Sequence, residues 1–153
     1  MLHHQYNLVL SSRAIILDYI ENISEEDFLS ENSTFGRGSI RNLLVHIGDT
    51  YASWIAERAL KKEIIYKPFD DYSTLADCLL YFNVINGYVR DFLDTYESDY
   101  LTDLEIIRNG TTVSLSPLKL FTHVITHEFH HKGQMMSLSR HLGYIPVDAD
   151  IIH

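Results

Sequence analysis

The stretch SPLKLFTHVITHEFHHKGQMMSLSRHLG, residues 116–143, determines the fold because it has the pattern of one long helix. Ser116 followed by Pro117 is a typical helix start, since a serine side chain can accept from a free backbone N–H and proline is tolerated in the first turn. Gly143, three residues before Pro146, is an equally typical stop. Apolar residues recur between them at helical spacing. We therefore expect a helix ending at residue 141 or 142 with one face in a core.

Three stretches upstream have the same periodicity. They are predicted to run from about His3 to Asn22, from about Ile40 to Lys61, and from a start capped by Ser73 to about Tyr96. Ser39 is the predicted cap of the second stretch, and Ser24 is predicted to cap a short turn of helix after the first. Helices of about 20 to 26 residues are about 30 to 39 Å long, which is the size found in four-helix bundles.

A short hairpin is predicted before the last helix. Leu104–Arg108 and Thr111–Leu115 are rich in β-formers and flank Asn109-Gly110, a pair that tolerates the positive φ of a two-residue turn. The sequence thus predicts an all-α protein, a four-helix bundle with a small β-hairpin insertion before the last helix. We expect residues 1–153 to form a single domain.

Composition restricts the possible partners and the cellular location. The 153 residues carry 12 Lys and Arg against 21 Asp and Glu, a formal net charge of −9, so a nucleic-acid backbone would be repelled. No apolar run approaches the length of a membrane span, and the N-terminus lacks the features of a secretory signal. Cys78 is the single cysteine and is expected to be a packed apolar side chain. We expect a cytoplasmic protein that binds neither nucleic acid nor membranes.

Four of the nine histidines lie within nine residues of the last helix. On a helical wheel His127 and His131 fall in the centre of the apolar stripe, whereas His123 and His130 fall on its flank. Two imidazoles at positions i and i+4 can offer two nitrogens to one metal ion without backbone strain. A hydrogen-bonded pair of core histidines is the alternative, although burying two unpaired imidazoles costs on the order of a few kcal/mol each. The pattern favours metal binding.

The same helix contains a match to the zinc-protease pattern H-E-x-x-H, from His127 to His131. In that pattern Glu128 would be the general base. One protease group needs a further Gly and His after the second histidine, but position 134 is Gln134. The other group needs a downstream glutamate, and no Glu follows Glu128 in the sequence. We therefore expect that Glu128 is not a proteolytic base.

A third metal ligand must come from another helix, and His46 is the only histidine on the second or third predicted helix. The wheel places His46 roughly 100° from the centre of the apolar stripe of its helix, which is also compatible with a solvated side chain. A metal site in an open crevice between helices would remove this conflict. From periodicity alone both interpretations remain open.

Two segments resemble the DinB-like (DinB/YfiT-like) family of metal-dependent proteins. They are residues 35–49, FGRGSIRNLLVHIGD, and residues 123–134, HVITHEFHHKGQ, the latter similar to the family's H-x-x-x-H-x-x-H-H-R-G-Q helix with Lys132 in place of the usual arginine. The resemblance implies a four-helix bundle and one divalent transition metal, zinc, nickel or similar, held by His46, His127 and His131.

The resemblance also implies a function. Characterised relatives include transferases and isomerases that use low-molecular-weight thiols, so we expect a metal-dependent thiol S-transferase or isomerase acting on a small molecule. Lys132 is the nearest cationic candidate in sequence for contact with a charged thiol. A metal-water hydrolase of a small ester or amide is one alternative, and a non-catalytic metal-binding stress-response module is another. Relatives often pair through their helices, so a homodimer is expected.

Overall fold

The computed structural model describes residues 1–152 and contains five α-helices and one hairpin. The helices are α1 Leu2–Ile20, α2 Glu25–Leu29, α3 Ile40–Tyr51, α4 Leu75–Thr95 and α5 Pro117–His141. A π-helix, Ala52–Ala59, continues α3, and a 3₁₀ turn, Phe69–Asp71, precedes α4. The strands are β1 Leu104–Arg108 and β2 Thr111–Leu115. The mostly helical class and the hairpin before the last helix are confirmed.

The helix starts follow the predicted capping chemistry with one exception. The side chains of Ser24, Ser39 and Ser116 each accept from a backbone N–H in the first turn of α2, α3 and α5. The prediction that Ser73 caps α4 was wrong, because Thr74 occupies that position. Its hydroxyl accepts from the N–H of Asp77, and the Asp77 carboxylate accepts from the N–H of Thr74 at 2.9 Å. This reciprocal capping box satisfies two backbone donors and fixes the start one residue later.

The second predicted helix changes its geometry halfway. After Tyr51 the chain winds as a π-helix to Ala59, and the N–H of Leu60 donates to the carbonyl of Ile55 at 3.0 Å. Lys61, two residues after the end of the π-helix, has a φ of 57°. The predicted end at Lys61 is close to the observed end. The π-helix itself could not be predicted from apolar residues spaced at 3.6 residues per turn. Single π-turns occur frequently at functional sites.

The hairpin has the predicted register and is fastened to the π-helix. Leu104 pairs with Leu115, and the turn residues Asn109 and Gly110 have φ values of 52° and 76°. Arg58 donates from Nε to the carbonyl of Ile107 at 3.2 Å. This hydrogen bond holds the hairpin beside the π-helix that continues α3.

One hydrophobic core lies between the four long helical segments. Helix α3 packs against both α4 and α5, and α1 also packs against α4 and α5. Large side chains that are almost fully buried come from every one of these helices: Tyr6, Ile16, Ile20, Leu43, Leu44, Ile47, Tyr51, Ile85, Phe92 and Phe121. Within residues 1–152, none of the helices combines the length and apolar character that crossing a bilayer requires.

Helices α3 and α4 approach closely at Gly48. A Cβ atom at that position would lie 2.6 Å from Cε1 of Tyr81, far inside van der Waals contact. We expect Gly48→Ala to lower the free energy of unfolding by about 1–3 kcal/mol, because the aromatic ring and the helix must move apart. Urea unfolding followed by circular dichroism measures the change.

Gly87→Ala on α4 is the matched control, since nothing lies within 4 Å of a Cβ built there. That variant should be as stable as the parent or more stable, because alanine favours the helix. Equal stability of Gly48→Ala and Gly87→Ala would contradict the close approach.

Candidate metal centre

Three histidine rings meet between α3 and α5. His46 comes from α3, and His127 and His131 come from adjacent turns of α5. One ring nitrogen from each lies within 4.8 Å of the others, and the Nε2 atoms of His127 and His131 are 3.1 Å apart. The structure therefore brings together all three histidines that the sequence singled out as ligands.

The packing of α3 explains how His46 reaches this group although the wheel places it on the flank of its helix. Its neighbours on both sides, Leu44, Val45 and Ile47, are buried, because α3 is covered by α2, α4 and α5 on several sides at once. No single apolar stripe describes a helix surrounded in this way. His46 is half-buried and faces the rings on α5 from the edge of the core. The crevice interpretation agrees with this position.

A glutamine fixes the protonation of one ring. The Oε1 atom of Gln134 lies 2.6 Å from Nδ1 of His131, so it accepts the Nδ1 proton and leaves the Nε2 lone pair available. This is the arrangement by which outer partners orient metal-binding histidines. The backbone of Gly36 passes close to this amide, since a Cβ built at Gly36 would lie 3.5 Å from Nε2 of Gln134. The loop before α3 therefore lies beside the glutamine that orients His131.

The surroundings of the His127 ring show how the three residues fit a metal ion. Its Nδ1 atom is buried and has no hydrogen-bond partner among the described residues. If Nδ1 carries the proton, then two Nε2 lone pairs, on His127 and His131, face each other at 3.1 Å. A cation between them would make this arrangement favourable. Two nitrogens about 2.0–2.1 Å from one tetrahedral ion are about 3.3 Å apart, so the spacing fits.

All three imidazoles are held neutral. Burial, the Arg37 charge and the other two histidines lower the pKa of His46 to about 4. Burial and the neighbouring histidines lower the pKa of His127 to about 4, and burial also lowers the pKa of His131. A metal ligand must be the neutral ring, so the three rings are in the required state near pH 7.

The flanking histidines lie outside this group, as the wheel predicted. His123 is exposed, and its ring packs against Trp54 with centroids 5.1 Å apart. His130 is also exposed, and its Nε2 atom lies 3.3 Å from the Gln134 amide nitrogen. His130 is therefore one step from the centre, behind Gln134.

Glu128 lies in a buried ionic network that faces α1. The carboxylate accepts from Nε and a terminal nitrogen of Arg13 at 2.8 and 2.7 Å, and from the Tyr51 hydroxyl at 2.6 Å. Lys132 Nζ is 3.0 Å from the same carboxylate. Burial alone would raise the pKa of Glu128, but Arg13 and Lys132 lower it to about 2. Glu128 is thus a neutralised structural anion, which agrees with the expectation that it is not a general base.

Sequence reasoning missed this network, although one signal was present. Arg13 falls on the mostly apolar side of α1, where a charged residue needs a buried partner. Lys132, the nearest cationic candidate in sequence for a charged thiol, points away from the histidines, as its wheel position about 100° from His131 allowed. Its ammonium group is buried between Glu128 and the Ser12 hydroxyl, 3.0 Å from each, because the side chain lies on the α1 side of α5.

A cleft opens beside the histidines. It has a volume of about 390 Å³ and is lined by His46 together with residues of α3, the π-helix and the following loop: Asp49, Thr50, Ser53, Trp54, Glu57, Arg58 and Tyr66. Asp49 is half-buried and accepts from the Tyr81 hydroxyl at 2.9 Å. Cys78 is buried elsewhere, and burial raises the pKa of its thiol to about 12. The cleft is large enough for a small organic molecule next to His46.

The fold and this centre define a small helical protein with a three-histidine candidate metal site. The DinB family model matches residues 1–153, so the chain belongs to the DinB family. The chain is also similar to the Bacillus subtilis (strain 168) protein named "Uncharacterized protein YizA", with 32% identity over 135 residues, which are 88% of this chain and 83% of that protein. The family resemblance inferred from the two motifs is confirmed.

Proposed function

We propose that this protein binds one divalent transition metal through His46, His127 and His131 and catalyses thiol transfer to, or thiol-assisted isomerisation of, a small molecule. The observation that carries this proposal is the group of three neutral imidazoles, one of which, His46, lines a cleft. Three protein ligands with an open side are typical of catalytic rather than structural metal sites. Membership of the DinB family supports the same interpretation. It also supports the predicted four-helix bundle.

The donor set indicates which metals would be accepted. Imidazole nitrogens suit zinc, nickel and copper, so the metal found in a preparation will depend on availability. When bound, such a metal deprotonates a coordinated thiol near neutral pH, which removes the limit set by an ordinary thiol pKa near 8.5.

The protein's own side chains would supply position and protonation state. His46, His127 and His131 offer the ligand nitrogens, and Gln134 holds the proton of His131 at Nδ1. Trp54 and Thr50 line the cleft beside His46 and would limit the space for the second substrate.

Glu128 is not placed to serve as the base of an H-E-x-x-H hydrolysis. The carboxylate that serves as the base in H-E-x-x-H hydrolases is bound here by Arg13 and Lys132. A thiol held at this centre would need no separate base, because coordination would lower its pKa and its proton would pass to solvent. Water at the same site would be activated by the same effect, so thiol dependence is the property that separates the two reactions.

The test is thiol dependence. Metal-loaded protein supplied with a small thiol and an electrophile should form the thioether faster than metal-free protein does, and several thiols should be compared. His131→Ala should behave like the metal-free protein. If no thiol is used faster by the metal-loaded form while a small ester is hydrolysed, the hydrolase alternative is correct. No turnover of either kind would favour a non-catalytic metal-binding module.

We also propose a homodimer in the cytoplasm, as expected from relatives that pair through their helices. Light scattering at micromolar concentration should give twice the 17.7 kDa mass of the chain. A mass near that of one chain would contradict the dimer.

A further inference from the structure

Arg37 lies beside the three histidines in a loop that hydrogen bonds hold in place. Gly38 takes the left-handed region with φ 91°, and its N–H donates to the carbonyl of Phe35 at 2.8 Å. The buried side chain of Asn42 donates to the carbonyl of Arg37 at 2.8 Å. The backbone of Arg37 is therefore fixed to the first turn of α3 through the Asn42 side chain.

The guanidinium group of Arg37 is an unpaired cation at this position. It is exposed, and one terminal nitrogen lies 3.5 Å from Nε2 of His46. Among residues 1–152 no carboxylate oxygen lies within 4.0 Å of it, even though the chain has 21 acidic residues and 12 basic ones. Asp49, one turn along α3 from His46, is hydrogen-bonded to Tyr81 instead.

Two cations cannot share the space at Nε2 of His46. This step rests on the proposed function and takes Nε2 as the nitrogen through which His46 binds the metal. The guanidinium must then turn away from the nitrogen, and among the described residues no carboxylate oxygen lies within 4.0 Å of it to balance its charge. An anionic group that contacts both would relieve the repulsion, since opposite charges about 4 Å apart attract strongly even near a protein surface.

We propose that Arg37 is a specificity-determining residue that binds the anionic group, a carboxylate or a phosphate, of the small molecule used at the metal centre. A guanidinium presents a planar pair of N–H donors that matches two oxygens of either group. A thiolate has one acceptor atom and does not use this fork. Arg37 would therefore recognise an oxyanion on the substrate or on the thiol compound, separately from the sulfur.

The experiment measures anion binding and not turnover. The protein is loaded with Co²⁺, and its visible absorption spectrum is titrated with acetate, with methyl phosphate and with neutral acetamide. The parent is compared with Arg37→Gln and Arg37→Lys. Arg90→Gln is the matched control, because Arg90 is exposed on α4, a helix that supplies none of the three histidines.

For Arg37→Gln we expect the Kd of acetate, methyl phosphate or both to rise about tenfold or more, the usual size for loss of a charge-assisted hydrogen-bonded pair. The Kd values of Arg37→Lys should fall between those of the parent and Arg37→Gln. Those of Arg90→Gln should match the parent. The anion that responds more strongly identifies the carboxylate or the phosphate as the group recognised.

Equal Kd values for the parent and Arg37→Gln with bound cobalt would overturn this inference and leave the metal centre standing. Equal weakening by Arg37→Gln and Arg90→Gln would also overturn it, because the effect would then come from net charge alone. Failure to bind cobalt would overturn the metal centre and the inference together.

Discussion

Glu128→Gln is expected to lower the free energy of unfolding by about 3–5 kcal/mol, the usual cost of removing one partner from a buried ion pair. Donors from Arg13, Tyr51 and Lys132 converge on the two carboxylate oxygens, and Glu128 has no exposed surface. An amide replaces one acceptor oxygen by a donor and leaves two buried cations unbalanced. Urea unfolding of the metal-free proteins measures the loss.

The pH dependence gives a second measurement of the same pair. The pKa of Glu128 is lowered to about 2 by Arg13 and Lys132 against the effect of burial, from an ordinary value of 4.5. Because its pKa is lower in the folded than in the unfolded protein, the Glu128 carboxylate stabilises the fold at pH values above the unfolded-state pKa. This contribution is lost as the pH falls towards the folded-state pKa. The difference between parent and Glu128→Gln should therefore shrink from pH 5 to pH 2.

The control for this pair is Glu105→Gln, which makes the same change on the exposed side of β1 and should leave stability within about 0.5 kcal/mol. Folded Glu128→Gln should still bind metal, since the Glu128 carboxylate of the parent faces α1 and not the histidines. Loss of metal from folded Glu128→Gln, or stability equal to that of the parent, would contradict the assigned role.

The second large effect is expected at the metal centre. His127→Ala and His131→Ala should each weaken zinc binding by more than about 100-fold, because removing a ligand costs more than the 10–100-fold that changes in the surrounding hydrogen bonds cost. His130→Ala is the matched control, since it removes the adjacent, exposed histidine of the same helix. Competition with a chromogenic chelator gives the affinities. Stoichiometric zinc in either ligand variant would contradict the assignment.

Local patterns predicted the elements whose determinants are local. The Asn109-Gly110 turn, the Ser116-Pro117 start and the pairing of His127 with His131 all depend on residues within a few positions of each other. The structure reproduces each of them. The pairing of His127 with His131 could therefore be predicted without knowledge of the rest of the chain.

The remaining features depend on contacts between distant segments. His46 lies off its own apolar stripe and becomes half-buried only because α5 packs beside it, so the family motif was needed to select it. The π-helix after Tyr51 departs from the period on which the prediction relied. The partners Arg13 and Glu128 are 115 positions apart, and periodicity on one helix cannot pair them.

Anomalous diffraction from crystals of the zinc-loaded protein tests the metal centre most directly. We expect one zinc peak with nitrogens of His46, His127 and His131 about 2.0–2.1 Å away and the remaining coordination position facing the cleft beside Trp54. A peak that lacks any one of these three nitrogens, or a fourth protein ligand closing the open position, would contradict a catalytic three-histidine site.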